Sequence, residues 1–204
     1  MTVLRFEEVS FSYRSEPFVR NLSFDLCPGQ LTGVIGANGS GKSTILRLGA
    51  GLLSPRSGMV KLLGQPIGSL RGRERAARLG YLPQSVEASL PFRVGELVAM
   101  GAAAGGTGEA VCREALRCVG LSGRDDTLLS CLSGGERRRA FIAMVLAQGG
   151  SVLLLDEPLA GLDLRFQYEL LDLLRDMCRE RQVAILLSLH DLALARELDR
   201  LLVV

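Results

Sequence analysis

Long hydrophobic segments are lacking from the sequence. None of its apolar runs approaches the roughly 18 residues that are needed to span a bilayer. Residues 1–7 also lack a charged region followed by an apolar core, so we expect no signal peptide. Any role at a membrane is therefore expected to depend on a partner protein.

Paired cysteine motifs and a strong excess of charge are lacking as well. The five cysteines are odd in number and form no CxxC pair, so reduced thiols are the best interpretation and favour the cytosol. The formal net charge is only +2. Nucleic-acid-binding proteins usually carry a basic stripe, whereas the only dense basic run here is Arg137, Arg138 and Arg139. We interpret this run as a solvated helix face and expect no nucleic-acid partner.

What the sequence does contain is typical of one globular domain. Its apolar fraction of 48% and charged fraction of 23% are close to the globular average, and 204 residues can bury a core. Alternating strands and helices predict an α/β fold with a mostly parallel, doubly wound sheet. Strands are expected at residues 3–9, 22–26, 31–35, 152–155, 183–187 and 201–204, and helices at residues 43–51, 164–180 and 191–198.

The middle of the chain follows a different pattern. From about residue 94 to residue 146 the apolar spacing is mostly helical, with glycine-rich breaks at residues 101–108 and 120–123. We interpret residues 90–147, approximately, as a helical subdomain that is inserted into a single domain spanning residues 1–204.

A glycine-rich loop joins the strand at residues 31–35 to the helix that follows it. The loop satisfies the pattern G-x-x-x-x-G-K-[ST] at every fixed position, with Gly36, Ala37, Asn38, Gly39, Ser40, Gly41, Lys42, Ser43 and Thr44. Glycines let backbone amides turn toward the phosphates of a nucleotide, Lys42 adds a positive charge, and Ser43 offers a hydroxyl ligand to Mg²⁺. The loop by itself does not separate a kinase, a GTPase and a transport ATPase.

Two acidic residues and the only histidine follow buried strands. Asp156 and Glu157 come directly after the strand at residues 152–155, at the edge where open α/β sheets place ligands. Asp156 can hold Mg²⁺ and Glu157 can orient an attacking water. His190 follows the strand at residues 183–187, so it can reach a γ-phosphate. The alternatives are a helix N-cap for the acid pair and a structural role for the histidine.

A second motif resembles one particular family. Leu132-Ser133-Gly134-Gly135-Glu136 resembles the signature motif of ABC-type ATPases, and residues 152–157 resemble the Walker B strand of that family. The resemblance covers the whole chain and implies a P-loop NTPase with N-terminal antiparallel strands, which binds ATP and Mg²⁺. It implies an adenine-stacking role for Tyr13, a Q-loop role at the metal and in catalysis for Gln84, a D-loop role for Asp163 and a switch role for His190.

The signature motif gives a reason for pairing. Ser133, Gly134 and Gly135 precede a predicted helix and would form an anion site at its N-terminus. The resemblance implies that the motif caps ATP held by an opposite subunit, either a second copy or a paralogous ATPase. Glu136 replaces a commoner glutamine and Gly161 a commoner hydroxyl or alanine residue, and neither departure threatens the chemistry.

Three segments look like those of bacterial importer ATPases for iron-siderophore, haem and cobalamin. These are residues 91–101, residues 139–148 and the Leu82-Pro83-Gln84 form of the Q-loop. The implied partner is a polytopic permease, with the chain on the cytoplasmic face of the inner membrane. The end at Val204 leaves a short exporter open, such as the haem exporter of cytochrome c maturation, although a truncated or short importer subunit is favoured.

A soluble ABC ATPase without a transport role is the third alternative. The DNA-repair type would need a sustained heptad run, and none is found between Gln84 and the signature motif. A small-molecule kinase is disfavoured by the signature motif. The segment from Gln84 to Met100 is expected to dock the permease through apolar residues, namely Val86, Leu90, Phe92, Val94 and Leu97.

Overall fold

The fold is built on two β-sheets and seven α-helices within residues 2–14, 18–85 and 91–204, which a computed structural model describes. The strands are β1 (Leu4–Phe11), β2 (Val19–Leu26), β3 (Leu31–Ile35), β4 (Ser57–Leu62), β5 (Gln65–Pro66), β6 (Leu79–Leu82), β7 (Val152–Leu155), β8 (Ala184–Ser188) and β9 (Arg200–Val203). The helices are α1 (Lys42–Gly49), α2 (Gly72–Ala76), α3 (Val94–Gly105), α4 (Glu109–Cys118), α5 (Gly134–Gln148), α6 (Leu164–Arg181) and α7 (Leu192–Ala195). Short 3₁₀ turns lie at Ile67–Ser69 and Leu129–Cys131.

The predicted fold class is confirmed. One sheet has the strand order β2-β1-β4-β5 and its pairings are antiparallel. The other has the order β6-β7-β8-β3-β9 and its pairings are parallel. The carboxyl ends of β3, β7 and β8 therefore meet at one edge, and the glycine-rich loop, the acid pair and His190 all follow these strands.

The parallel sheet is covered on both faces, as the buried strand β7 shows. Val152 and Leu154 pack into a core that contains α1 and the antiparallel sheet. Leu153 and Leu155 point to the opposite face and pack with α5 and α6. Because side chains alternate along a strand, a strand buried on both faces is apolar throughout. Each fully buried leucine contributes roughly 1.5–3 kcal/mol through the hydrophobic effect.

Helices α3, α4 and α5 pack on one another between β6 and β7 in the chain. At Gly101 the backbones of α3 and α5 come so close that a Cβ would lie 2.0 Å from the carbonyl oxygen of Met144. Glycine is therefore required at this crossing. The division of the chain into a domain with a helical insertion at about residues 90–147 stays a prediction.

The arginine run on α5 is not a solvated face, so that interpretation was wrong. Arg138 is only 5% exposed. Arg137 is half-buried and donates hydrogen bonds to the backbone carbonyls of Leu129 and Leu132. The half-buried Arg139 lies with its guanidinium carbon 4.5 Å from the ring centroid of Phe166. All three arginines are used in tertiary contacts.

Three of the five apolar residues expected to dock a permease lie within the described residues, and these three belong to the core or pack against it. Val94 and Leu97 are buried, and Phe92 is half-buried against the same cluster. Inward packing therefore accounts for these three residues, and a docking role for the segment stays a prediction. Val86 and Leu90 lie outside the described residues. Across residues 2–14, 18–85 and 91–204, no helix is long and apolar enough to cross a membrane.

The five cysteines are free, and they differ in accessibility. Burial raises the pKa of the Cys178 thiol to about 12, whereas Cys131 is exposed. Because the thiolate is the reactive form, we expect iodoacetamide at pH 8 to alkylate Cys131 in the native protein and to spare Cys178 until guanidinium unfolds the chain. Mass spectrometry of the two peptides checks this. Equal labelling of both in the native state would contradict the buried position of Cys178.

Candidate active site

The glycine-rich loop is held in place by the start of α1. Its N-cap residue, Gly41, has a φ of +112°, a conformation that side chains rarely adopt. A Cβ at Gly41 would also lie 3.3 Å from the ring of Phe18. A helix leaves its first amides without intrahelical acceptors, and its dipole favours a negative charge at this end. The loop is therefore shaped as an anion site.

Lys42 is directed across this loop. Its side chain is 5% exposed, and Nζ donates hydrogen bonds to the carbonyls of Gly36 and Ala37, both at 2.9 Å. The ammonium group thus lies within the glycine-rich loop, against two of its carbonyl oxygens. A phosphate in the loop would receive a charge-assisted hydrogen bond from a lysine that is already in position.

A cavity of about 590 Å³ opens beside the loop. This volume is within the usual range for small-molecule sites. Its walls bring together the residue before β2 and residues from the glycine-rich P-loop, the Q-loop, the end of β7 and the end of β8. They are Phe18, Asn38, Gly39, Gly41, Lys42, Ser43, Thr44, Gln84, Glu157 and His190.

Asp156 has one carboxylate oxygen that is hydrogen-bonded and one without a partner among the described residues. The residue is fully buried, and Oδ1 accepts a hydrogen bond of 2.7 Å from the hydroxyl of Ser188. Oδ2 is buried too and has no hydrogen-bond partner among the described residues. A buried carboxylate oxygen without a partner is costly, so this atom fits a role as a ligand of Mg²⁺, directly or through water.

Glu157 has an unusual backbone that is held at both ends. Its φ is +50°, a conformation that costs a non-glycine residue on the order of 1–3 kcal/mol. Its amide donates a 2.8 Å hydrogen bond to the Ser188 hydroxyl, and its carbonyl accepts one of 2.9 Å from Arg138. Its side-chain Oε1 is hydrogen-bonded to Nε2 of His190. The strained backbone aims the carboxylate at His190 and the cavity.

Tyr13 lies at the mouth of the P-loop. It is 54% exposed, and its hydroxyl is 3.0 Å from Oγ1 of Thr44 in a hydrogen bond. Its ring packs edge-on against Phe11, with 4.8 Å between centroids, and against Phe18 at 5.7 Å. Phe18, rather than Tyr13, is in the cavity wall. The adenine-stacking role of Tyr13 stays a prediction.

The signature motif starts α5 with a capping box. The amide of Glu136 donates to Oγ of Ser133 at 3.2 Å, and the amide of Ser133 donates to Oε2 of Glu136 at 2.9 Å. Glutamate and glutamine both serve in such a box, which explains why Glu136 is compatible with the motif. Of the described residues that form the cavity wall, none belongs to the signature motif. Gly134 and Gly135 likewise start α5 away from the chain's own P-loop cavity.

The comparison with known proteins decides the family. The family model described as "ABC transporter" matches residues 19–160. The chain belongs to the ABC transporter family.

Relatives in the ABC family are similar over nearly the whole chain. The achromobactin transport ATP-binding protein CbrD of Dickeya dadantii is 39% identical, over 96% of this chain and 76% of that protein. The hemin import ATP-binding protein HmuV of Deinococcus radiodurans is 40% identical, over 98% and 79%. A solved "ATP binding subunit of ABC transporter" superposes with a TM-score of 0.89 at 27% identity, covering 100% of this chain and 86% of that one. This ABC chain is therefore an ATP-binding ATPase subunit.

The D-loop of the ABC chain is braced by α6. Asp163 is the N-cap of α6, and its Oδ1 accepts a 2.9 Å hydrogen bond from the amide of Phe166. Nε2 of Gln167 donates to the carbonyls of Leu159 and Leu162, both at 3.2 Å. Asp163 has a clear structural role here, and its contact with nucleotide stays a prediction.

The structure brings most of the predicted ABC site residues together and adds three others. Lys42, Ser43, Thr44, Gln84, Glu157 and His190 share the cavity, and Asp156 lies beside it. Sequence reasoning missed Phe18, Ser188 and Arg138. A serine ending a buried strand was the one available signal for Ser188, whereas an aromatic near a strand and an arginine in a basic run signal nothing specific.

Proposed function

We propose that this chain is the ATP-hydrolysing subunit of an importer for metal chelates. The observation that carries the enzymatic part is the chain of contacts from Asp156 through Ser188 and Glu157 to His190, beside the P-loop cavity. The relatives named for achromobactin transport and hemin import support the importer class over the short exporter and the soluble ATPase.

In this proposal the P-loop binds the β- and γ-phosphates of ATP. Lys42 moves its hydrogen bonds from the loop carbonyls to phosphate oxygens. Ser43, Gln84 and Oδ2 of Asp156 would hold Mg²⁺, which supplies positive charge against the phosphates when bound. Glu157 orients a water and takes its proton, and His190 holds Oε1 of that carboxylate and faces the γ-phosphate.

We further propose that two such subunits form the complete site. Ser133 and the amides of Gly134 and Gly135 lie at the N-terminus of a 15-residue helix, which is suited to an anion. Since they do not line the cavity of their own chain within the described residues, the anion they serve would be the ATP of a second copy or a paralogous subunit.

A substitution at Ser133 tests the pairing. Ser133→Arg is expected to lower ATP hydrolysis by about 100-fold or more, since the long cation blocks the anion site across the pair. The affinity of the chain's own P-loop for a fluorescent ATP analogue should stay within about threefold of wild type. The reason is that the signature motif is proposed to serve the ATP of the other subunit, so the substitution affects catalysis and not binding in its own chain. Ser122→Arg, on an exposed serine outside the signature motif, is the matched control. Equal loss of binding and hydrolysis in Ser133→Arg would mean that the motif acts within one chain.

The membrane partner is proposed to be a polytopic permease, with the chain on the cytoplasmic face of the membrane. Growth of the host on hemin or on a ferric siderophore as sole iron source tests this. Deletion of the gene should abolish growth on one of these sources, and wild type but not Glu157→Gln should restore it. Unchanged growth of the deletion strain on both iron sources would contradict the proposed cargo class. It would not contradict the ATPase activity, which only a purified chain that releases no phosphate from ATP would contradict.

A further inference from the structure

One buried guanidinium joins two loops of the active site. Arg138 donates from Nη1 to the carbonyls of Pro83 and Gln84, at 2.8 and 3.0 Å. It donates from Nη2 to the carbonyls of Asp156 and Glu157. The first pair belongs to the Q-loop and the second to the end of β7. Arg138 therefore fixes the distance between the two backbones that carry Gln84 and Glu157.

The same residue ties these loops to the signature helix. Arg138 is five residues after Ser133, the N-cap of α5. At 1.5 Å per residue, this places it about 7.5 Å along the helix from the proposed anion site. A displacement of the N-terminus of α5 is therefore carried directly to the carbonyls that the guanidinium holds.

The contact matters most at Glu157. Its left-handed backbone needs restraint, and the restraint comes from two sides: Ser188 accepts from the amide, and Arg138 donates to the carbonyl. The carbonyl also accepts a 3.1 Å hydrogen bond from the amide of Ala160, so loss of the Arg138 contact removes one of its two donors. The backbone that directs the carboxylate toward His190 is then held less firmly, and the guanidinium no longer ties it to the Q-loop.

Packing alone does not explain a guanidinium in this place. Burial lowers the pKa of Arg138, while the charges of Asp156 and Glu157 oppose that shift. Its Nε is also buried and finds no hydrogen-bond partner within the part of the chain that the structure describes. An apolar side chain would fill the volume without the cost of removing a charge from water. What the arginine adds is donors aimed at both loops.

We infer that Arg138 is a positioning residue for ATP hydrolysis. It holds Gln84 and Glu157 in a fixed relation to the signature helix, so that capping of a nucleotide at the start of α5 and alignment of the carboxylate in the same chain occur together. This inference rests on the proposed function, in which Glu157 is the group that acts on water.

Arg138→Met keeps an unbranched side chain as far as about the position of Nε and removes the guanidinium donors. We expect kcat for ATP to fall by about tenfold or more, with the affinity for a fluorescent ATP analogue within about threefold of wild type, because positioning acts on the transition state rather than on ground-state binding. Arg138→Lys keeps the charge, but its single nitrogen reaches only one of the two loops. Its kcat should therefore lie between the kcat of Arg138→Met and the kcat of the wild type.

Arg139→Met is the matched control. It removes a neighbouring half-buried guanidinium that contacts the carbonyl of Val119 and the ring of Phe166 but neither catalytic loop. Its kcat should stay within about twofold of wild type, because the substitution removes no contact to either catalytic loop and so should not change stabilisation of the transition state. Equal losses of kcat in Arg138→Met and Arg139→Met would overturn the inference, and so would wild-type kcat in Arg138→Met. If the methionine variant does not fold, wild-type kcat in Arg138→Lys overturns it and a reduced kcat with unchanged affinity supports it.

Glu157→Gln separates this inference from the proposed function. If Glu157→Gln still hydrolyses ATP at the wild-type rate, the assignment of Glu157 fails, and the inference about Arg138 fails with it. If Glu157→Gln is inactive while Arg138→Met is fully active, only the inference about Arg138 is wrong.

Discussion

Replacement of Glu157 by glutamine is expected to stop ATP hydrolysis while leaving ATP binding intact. The amide keeps the shape of the side chain and a hydrogen bond to His190 but cannot take a proton from water, so the rate should fall by roughly 100-fold or more. ATP that is bound but not hydrolysed should hold the two subunits together. Size-exclusion chromatography with Mg-ATP should then show twice the mass of the nucleotide-free chain.

Glu180→Gln is the matched control for this substitution, since Glu180 is exposed on α6. It should hydrolyse ATP like wild type and should show no stable association with ATP. Hydrolysis at the wild-type rate by Glu157→Gln would show that another group positions the water. A monomer in the presence of bound ATP would instead contradict the pairing of subunits.

Replacement of Lys42 by alanine is expected to abolish nucleotide binding or nearly so. The side chain supplies the ammonium group that lies between the carbonyls of Gly36 and Ala37, where the phosphates are proposed to bind. Loss of charge-assisted hydrogen bonds worth about 3 kcal/mol corresponds to about 100-fold in affinity. Fluorescence titration with an ATP analogue measures this loss directly.

The sequence provides a natural control, because Lys61 is the only other lysine. Lys61 lies on β4 and pairs with Glu7 on β1, in the antiparallel sheet and outside the cavity wall. Lys61→Ala should bind nucleotide within about twofold of wild type, because this partly exposed ion pair lies outside the cavity wall and has small energetic value. Lys42→Ala with wild-type affinity would show that the lysine does not contact the phosphates.

The strands that are buried on both faces were predictable from the sequence. The apolar run at residues 152–155 is β7, and residues 164–180 differ from α6 by one residue at its C-terminal end. In both segments the apolar pattern of the residues themselves is enough to predict the element. The helix expected at residues 191–198 is shorter, because Asp199 exchanges hydrogen bonds with Leu31 and turns the chain into β9.

The region between the P-loop helix and the Q-loop was hardly predictable. Strand β4 has three exposed residues at its start, β5 is two residues long, and α2 has no buried residue. Such elements have little hydrophobic periodicity of their own. Strand β4 forms because β1 offers its second edge to it, and β5 in turn pairs with β4, tertiary pairings that no local pattern shows.

In the site, motifs located the residues that would touch ATP, but not the residues that hold them. Ser188 and Arg138 act through hydrogen bonds to segments that are distant in sequence. Arg138 was expected to be solvated because its neighbours in sequence are also arginines. A polar side chain can be buried only where the fold supplies hydrogen-bond acceptors for it. For Arg138 these acceptors are carbonyls from distant segments, and the spacing of residues in the sequence does not predict them.

The central claim is that this chain hydrolyses ATP as one of a pair. Phosphate release at saturating Mg-ATP, measured over a wide range of chain concentration, tests it most directly. If two chains complete each site, the rate per chain should rise with concentration and level off once pairs dominate, as mass action requires. A rate per chain that is constant at every concentration would contradict the account.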